Sequence, residues 1–313
     1  MSDTVLLVEN IHKSFDQHHA VSGISFALEK GEVFGLLGPN GAGKTTTISM
    51  LTGLIRPDQG QITVEGINLL EQTNQAKMKL GLVPQELALY PTLSARDNLS
   101  FFGQIYGLRG RHLKKQVEQS LEMVGLKDRA NEAIQRFSGG MKRRVNIAAG
   151  LLHQPDILFL DEPTVGVDPQ SRNTIFESIE SLNRAGMTLI YTTHYMEEAQ
   201  RLCQRVAIMD HGQIIALDSP ANLINSVGQG LIRIGLNNGH GLQVQNEAQQ
   251  LVSVRSIVRH DDFLDVQTND NQAALLSIME IIRRVQAKLT SLHLMEANLE
   301  TVFLSLTGKT LRD

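Results

Sequence analysis

The sequence predicts an α/β fold: a core of parallel strands wound around one glycine-rich loop, with an antiparallel β subdomain, an inserted helical subdomain and a small C-terminal α+β domain. Three observations predict it. Short apolar runs, Val33-Phe34-Gly35-Leu36-Leu37 and Ile157-Leu158-Phe159-Leu160 above all, have the continuous character of strands buried in a parallel sheet. Amphipathic stretches with apolar residues at helical spacing lie between such runs. After Ser219-Pro220 the composition changes, and a second series of strand and helix patterns begins. These place one domain at 1–220, with its helical subdomain at about 86–150, and a C-terminal α+β accessory domain at 221–313.

The loop is Gly38-Pro39-Asn40-Gly41-Ala42-Gly43-Lys44-Thr45-Thr46, and it fits Gly, four residues, Gly-Lys-Thr. An apolar strand pattern precedes it and Thr47-Ile48-Ser49-Met50-Leu51 follows as a helix, the context in which the motif has a mechanism. Glycines let successive N–H groups turn inward around phosphate oxygens, and the helix start adds its positive dipole end. Lys44 would reach the β- and γ-phosphates, and the Thr45 hydroxyl would hold Mg²⁺. The expected core is therefore that of a P-loop NTPase.

Composition bounds the rest. Length exceeds one comfortable core, while 42% hydrophobic and 20% charged residues are the balance of a folded protein. With 29 basic against 33 acidic residues, net charge −4, no nucleic-acid partner is expected. The single cysteine, Cys203, and the lack of an apolar leader point to a cytosolic setting. No apolar run approaches the length of a membrane span, so any membrane crossing falls to another chain.

In chain order, Val5–Val8 and Val21–Leu28 read as strands, with Phe15 between them, where its ring would either stack on a base or join the core. Gln61–Gly66 is a further strand. Leu80–Val83 is another that stops at Pro84, and Gln85 after it can face Mg²⁺ or water or be ordinary surface. Leu93–Phe102 and Leu113–Val124 read as helices. Ser138-Gly139-Gly140 opens the next helix either as a second phosphate cradle or as a plain cap, and Lys142-Arg143-Arg144 reads as a partly solvated face. Asp161 and Glu162 end the buried Ile157–Leu160 strand where open α/β sheets bind ligands. Asp161 suits Mg²⁺, and Glu162 suits the base that takes a proton from attacking water. Thr188–Thr193 brings His194 to the same edge, within reach of a γ-phosphate, and Val206–Ala216 reads as a hairpin.

The ordered set of phosphate loop, Gln85, Ser138-Gly139-Gly140, Asp161-Glu162, Asp168 and His194 resembles the ATP-binding subunits of ABC transporters over residues 4 to 218. The resemblance implies roles. Phe15 becomes the adenine-stacking aromatic, Gln85 the Q-loop glutamine, and Phe137 to Met141 the signature motif; Glu162 becomes the general base, Asp168 the D-loop aspartate and His194 the switch histidine. Two departures stand out: Phe137 and Met141 replace the usual Leu and Gln of the signature, and the D-loop reads Val165-Gly166-Val167-Asp168. Neither removes a charged or metal-binding group, so an active ATPase is expected. Each motif occurs once, and in the family the signature of one subunit completes the site of the other. A second copy, or a related ATP-binding subunit, is therefore implied.

The tail reads as strands at Leu231–Leu236, Phe263–Gln267 and Leu289–Leu294 with a helix from Ala273 to Ile282, a pattern compatible with a ferredoxin-like domain. The ending Ala297 to Gly308, with the wording of the phosphate loop and of Glu162 to Pro169, resembles ATPases of the ABC-2 class of drug- and antibiotic-resistance exporters. That implies ATP and Mg²⁺ as ligands, an ABC-2 type integral membrane permease as partner, and a place on the cytoplasmic face of the membrane. The competing expectation is a soluble ABC-type ATPase that regulates or acts on ribosomes or DNA.

Overall fold

The computed structural model describes residues 3–227, 230–237, 239–260 and 263–307. It separates into two compact units, Met1–Ile214 and Ile215–Asp313.

In the first unit, strands β1 (Thr4–Phe15), β2 (His18–Glu29), β4 (Gln59–Val64) and β5 (Ile67–Asn68) form an antiparallel sheet in the order β2-β1-β4-β5; β3 (Val33–Leu37) intervenes in sequence. Helix α1 (Lys44–Leu51) follows the phosphate loop, and α2 (Thr73–Lys77) leads to β6 (Leu80–Val83). The helical subdomain consists of α3 (Ala95–Ile105), α4 (Gly110–Met123) and α5 (Gly139–Leu151). The chain returns through β7 (Ile157–Asp161), α6 (Pro169–Arg184), β8 (Thr188–Thr193), α7 (Met196–Leu202) and β9 (Arg205–Asp210) to β10 (Gln213–Asp218), within which the first unit ends.

The second sheet runs β10-β9-β3-β8-β7-β6, with parallel pairing from β9 to β6. Every residue of β3, β7 and β8 is buried, which is why β3 and β7 are apolar almost without alternation, while β8 buries threonines beside Leu189, Ile190 and Tyr191. The main core fills the space where both sheets meet α1, and Phe26 stacks on Phe34 with ring centroids 4.8 Å apart. Gly35 is a packing requirement: a Cβ there would lie 2.8 Å from the Val206 side chain and 2.9 Å from Cys203 Sγ. Cys203 is buried as a small apolar residue at the end of α7. Because β3, β7 and β8 are parallel neighbours, their carboxyl ends deliver the phosphate loop, Asp161-Glu162 and His194 to one edge.

In the second unit, α8 (Pro220–Ser226) precedes β11 (Gly230–Asn237), α9 (Gly241–Ala248), β12 (Val254–Arg259), β13 (Phe263–Thr268), α10 (Asn271–Arg284), β14 (Lys288–Glu296) and α11 (Leu299–Thr307). The antiparallel order β12-β13-β11-β14 with α9 and α10 as crossovers is a β-α-β-β-α-β arrangement, the ferredoxin-like form the tail pattern allows. Both helices pack on Ile232, Ile234, Ile257, Leu264 and Val266. Helix α9 and strand β12 are additions to the sequence reading. Gly308, at the end of the tail motif, lies outside the described residues.

Candidate active site

The phosphate loop closes on its own lysine. Lys44 Nζ donates to the carbonyls of Gly38 at 2.8 Å and Pro39 at 3.0 Å, and the side chain is buried. Two glycines are indispensable to that path. Gly43 has φ +99° and a Cβ there would meet the Ala20 carbonyl at 2.4 Å, while one on Gly38 would meet the Met209 carbonyl at 2.4 Å. Ala42 is buried between them and Gly41 turns at φ +82°.

Glu162 is the meeting point. Its Oε1 lies 3.3 Å from Lys44 Nζ, its Oε2 accepts from Gln85 Nε2 at 3.4 Å, and Oε2 lies 3.3 Å from His194 Nδ1. Its backbone leaves β7 at φ 44°, a left-handed conformation that costs a non-glycine residue on the order of 1 kcal/mol. The conformation is held because the Glu162 N–H donates to Thr192 Oγ1 at 2.9 Å. Thr192 in turn donates to Asp161 Oδ1 at 2.6 Å, and the Thr45 hydroxyl also bonds to Asp161. Burial pushes the Asp161 carboxyl above its ordinary range against those two hydroxyls.

A cleft of about 380 Å³ is lined by Phe15, His18, Ala20, Asn40, Gly41, Gly43, Lys44, Thr45, Thr46, Gln85 and Glu162. Phe15 ends β1 and is 45% exposed, so its ring is a surface of the cleft and not a core residue. His18, its partner across the β1–β2 turn, and Thr192 are site residues that the sequence reading missed. His18 had a signal in its closeness to Phe15, whereas a threonine inside a buried strand carries none.

Ser138, Gly139, Gly140 and Asp168 do not join this cleft. Ser138 caps α5 by accepting from the Met141 N–H at 3.2 Å, and Asp168 caps α6 by accepting from the Ser171 N–H at 3.0 Å. That bond lowers the Asp168 carboxyl below its usual range. Ser138, Gly139 and Asp168 are exposed; Gly140 is buried against Ser171, whose Cβ would lie 2.2 Å from any Cβ added there.

The basic cluster of α5 is a partly solvated face at Lys142 and Arg144, and departs from that expectation only at Arg143. Arg143 is buried and donates to the Pro84 carbonyl at 3.0 Å, and Arg144 donates to the Val124 carbonyl at 2.8 Å. Both anchor neighbouring segments, Arg143 the strand end that carries Gln85, so desolvation is offset by fixed carbonyl dipoles.

Thr45, Asp161 and Gln85 offer hydroxyl, carboxylate and amide oxygens, a hard donor set of the kind Mg²⁺ takes. Among the described residues no group of three or more His, Cys, Asp and Glu could hold a metal by itself. Among them too, no helix is long and apolar enough to cross a membrane.

Residues 21–165 match the family model described as ABC transporter. The linearmycin resistance ATP-binding protein of Bacillus subtilis (strain 168) is 48% identical over 318 residues, covering 99% of this chain and 100% of that protein. The Nod factor export ATP-binding protein I of Ralstonia nicotianae is 37% identical over 314 residues, covering 100% and 96%. Among solved structures, a dimeric ATP-binding cassette in a post-hydrolysis state, bound to ADP and Pi, superposes with TM-score 0.62 at 25% identity over 68% of this chain and 98% of that one.

Proposed function

Since this chain belongs to the ABC transporter family, as an ATP-binding subunit that hydrolyses ATP, we propose that it drives an ABC-2 type exporter of drugs, antibiotics, lipids or similar amphiphiles. The single observation that carries the mechanism is the convergence of Lys44, Gln85 and His194 on Glu162. In the proposed cycle Phe15 stacks on adenine, and the N–H groups of Gly41 to Thr46 surround the phosphates. Lys44 exchanges its ion pair with Glu162 for the β- and γ-phosphates, which frees the Glu162 carboxylate to take a proton from water attacking the γ-phosphate. His194 and Gln85 fix the position of that water and phosphate. Mg²⁺ would be held by Thr45 and Asp161 with Gln85, and when bound it offsets charge on the phosphate oxygens.

Ser138, Gly139, Gly140 and Asp168 serve a second subunit. Standing apart from their own chain's cleft, they suit a pair of copies, or this chain with a related ATPase, in which each signature closes on its partner's nucleotide. ATP then favours the closed pair, and ADP with phosphate the open one. A separate permease pair carries the cargo, and this chain works on the cytoplasmic face of the membrane. The reading is supported over an ATPase acting on ribosomes or DNA by the acidic net charge and by relatives that span the whole chain and are named for resistance and export.

Purification of the chain from detergent-solubilised membranes, followed by mass spectrometry, tests the assembly. A stoichiometric polytopic membrane protein is the expected companion. Recovery of ribosomal proteins or DNA, with none of the chain at the membrane, would overturn the transporter reading.

A further inference from the structure

Glu198 lies on α7 outside the nucleotide cleft, and it is only 3% exposed. Three hydroxyls point at its carboxylate. Thr164 Oγ1 donates at 2.8 and 3.0 Å to its two oxygens, Tyr191 Oη donates at 2.8 Å, and Thr193 Oγ1 donates at 2.8 Å. Arg172 Nε, on the first turns of α6, stands 3.7 Å away and, among the described residues, has no hydrogen-bond partner of its own. A buried carboxylate is expensive to desolvate, so such a group persists where its acceptor capacity is used. Here the acceptors are filled by donors from separate parts of the chain.

Those parts are the ones that carry the chemistry. Thr164 follows Glu162 by two residues, and Thr193 immediately precedes His194. Thr193 Oγ1 also accepts from the Tyr195 N–H at 2.9 Å, so both flanks of His194 end in the same network. The Tyr195 ring in turn lies between His194, at a centroid distance of 4.0 Å, and the Arg172 guanidinium, at 5.2 Å. Arg172 closes the circuit through its backbone N–H, which bonds to the Asp168 carbonyl at 2.9 Å. One carboxylate therefore joins the segments of Glu162 and His194 to the start of α6.

We propose that Glu198 is a positioning residue for ATP hydrolysis: it holds the Glu162 and His194 segments in register through Thr164 and Thr193. The inference rests on the roles given above to Glu162 and His194. Neutralising Glu198 to glutamine leaves one oxygen acceptor where two served, and adds an N–H₂ group facing hydroxyls. The anchor common to the two segments is then weakened while the phosphate loop, which makes none of these bonds, is untouched. Misplacement of reacting groups by about 1 Å can cost up to roughly a hundredfold in rate. A partial loss of register should fall below that.

The test uses the purified full-length chain and measures kcat and KM for ATP, the binding of ATP and the melting temperature. Glu198→Gln should lower kcat roughly tenfold with KM and ATP affinity changed by no more than about twofold. Thr164→Val, which removes only the hydroxyl, should lower kcat in the same way, and Thr164→Ser should restore it. Combining Glu198→Gln with Thr164→Val should cost little more than Glu198→Gln alone, because both break one network. An unchanged kcat in folded Glu198→Gln overturns the proposal, as does a loss seen equally in ATP affinity. If Glu198→Gln does not fold, the threonine pair decides it, with equal activity of the Val and Ser variants as the overturning result. Glu162→Gln measured alongside separates the two readings. Retained hydrolysis in that variant defeats the base assignment, whereas its loss together with a fully active Glu198→Gln defeats the present proposal alone.

Discussion

At the carboxyl ends of β3, β7 and β8, the side chains of Lys44, Asp161 and Glu162 are almost completely buried and bonded to the loop, to Thr192 or to one another. At the starts of α5 and α6, Ser138 and Asp168 face solvent, and the bonds of their side chains go to their own helices. The first region is wired by bonds within its own chain, so its geometry is set by folding. The second presents capping oxygens, glycines and a helix end outward, which on the proposed reading meet the nucleotide of a second subunit. The difference is what the proposed pairing requires of a chain, two unlike halves of a site instead of one whole site.

The largest expected effect breaks the wired half. Lys44→Ala removes the cation that reaches Glu162 from the loop, and ATP affinity measured by equilibrium binding should fall about a hundredfold, on the order of 3 kcal/mol. The melting temperature should fall too, because Glu162 is then left buried beside no lysine. Normal affinity in this variant would remove the phosphate-loop assignment.

Ser138→Ala sharpens the comparison from the other side. It should cost about 1 kcal/mol of stability as a lost helix cap. ATP binding to the dilute chain should stay within about twofold of the parent, while hydrolysis at high protein concentration falls by roughly tenfold or more. A matching loss of affinity in the dilute chain would mean that the signature serves its own cleft.

The smallest effect concerns the charge stored at Asp161. Burial raises its carboxyl pKa in the folded chain above the ordinary 3.8, so the folded state holds this proton where the unfolded state has released it. The stability from this group is full below 3.8 and is lost as pH rises through the raised value. At neutral pH without Mg²⁺, Asp161→Asn should therefore melt a few degrees higher than the parent, of the order of 2–4 °C per kcal/mol, with the gap closing toward pH 4. Mg²⁺ should raise the melting temperature of the parent alone, and an unstabilised Asp161→Asn chain would show that Thr45 and Thr192 already neutralise the cost.

Most of the fold and of the wired half is legible in the sequence because both lie at extremes of patterning. Val33–Leu37 and Ile157–Leu160 are apolar throughout because parallel strands are covered on both faces, and the glycines at 38 and 43 stand where a Cβ would strike a carbonyl. What escapes is decided by tertiary packing. Glu197-Glu198 is a pair of helix-face carboxylates in sequence, and only the turn of α7 against β8 sends the second inward toward three hydroxyls. Arg143 reads as part of a charged face until the Pro84 carbonyl receives it. Helix α9 has only two buried residues, Val244 and Ala248, and β12 only Ile257, too few for either period to show.

The most direct test of two half-sites is light scattering on purified Glu162→Gln with and without ATP and Mg²⁺, coupled to an assay of steady-state hydrolysis. The account predicts a variant that binds ATP, hydrolyses it at least about a hundredfold more slowly and doubles its mass only when ATP is present. Undiminished hydrolysis, or an ATP-bound chain that stays monomeric at every concentration, would contradict it.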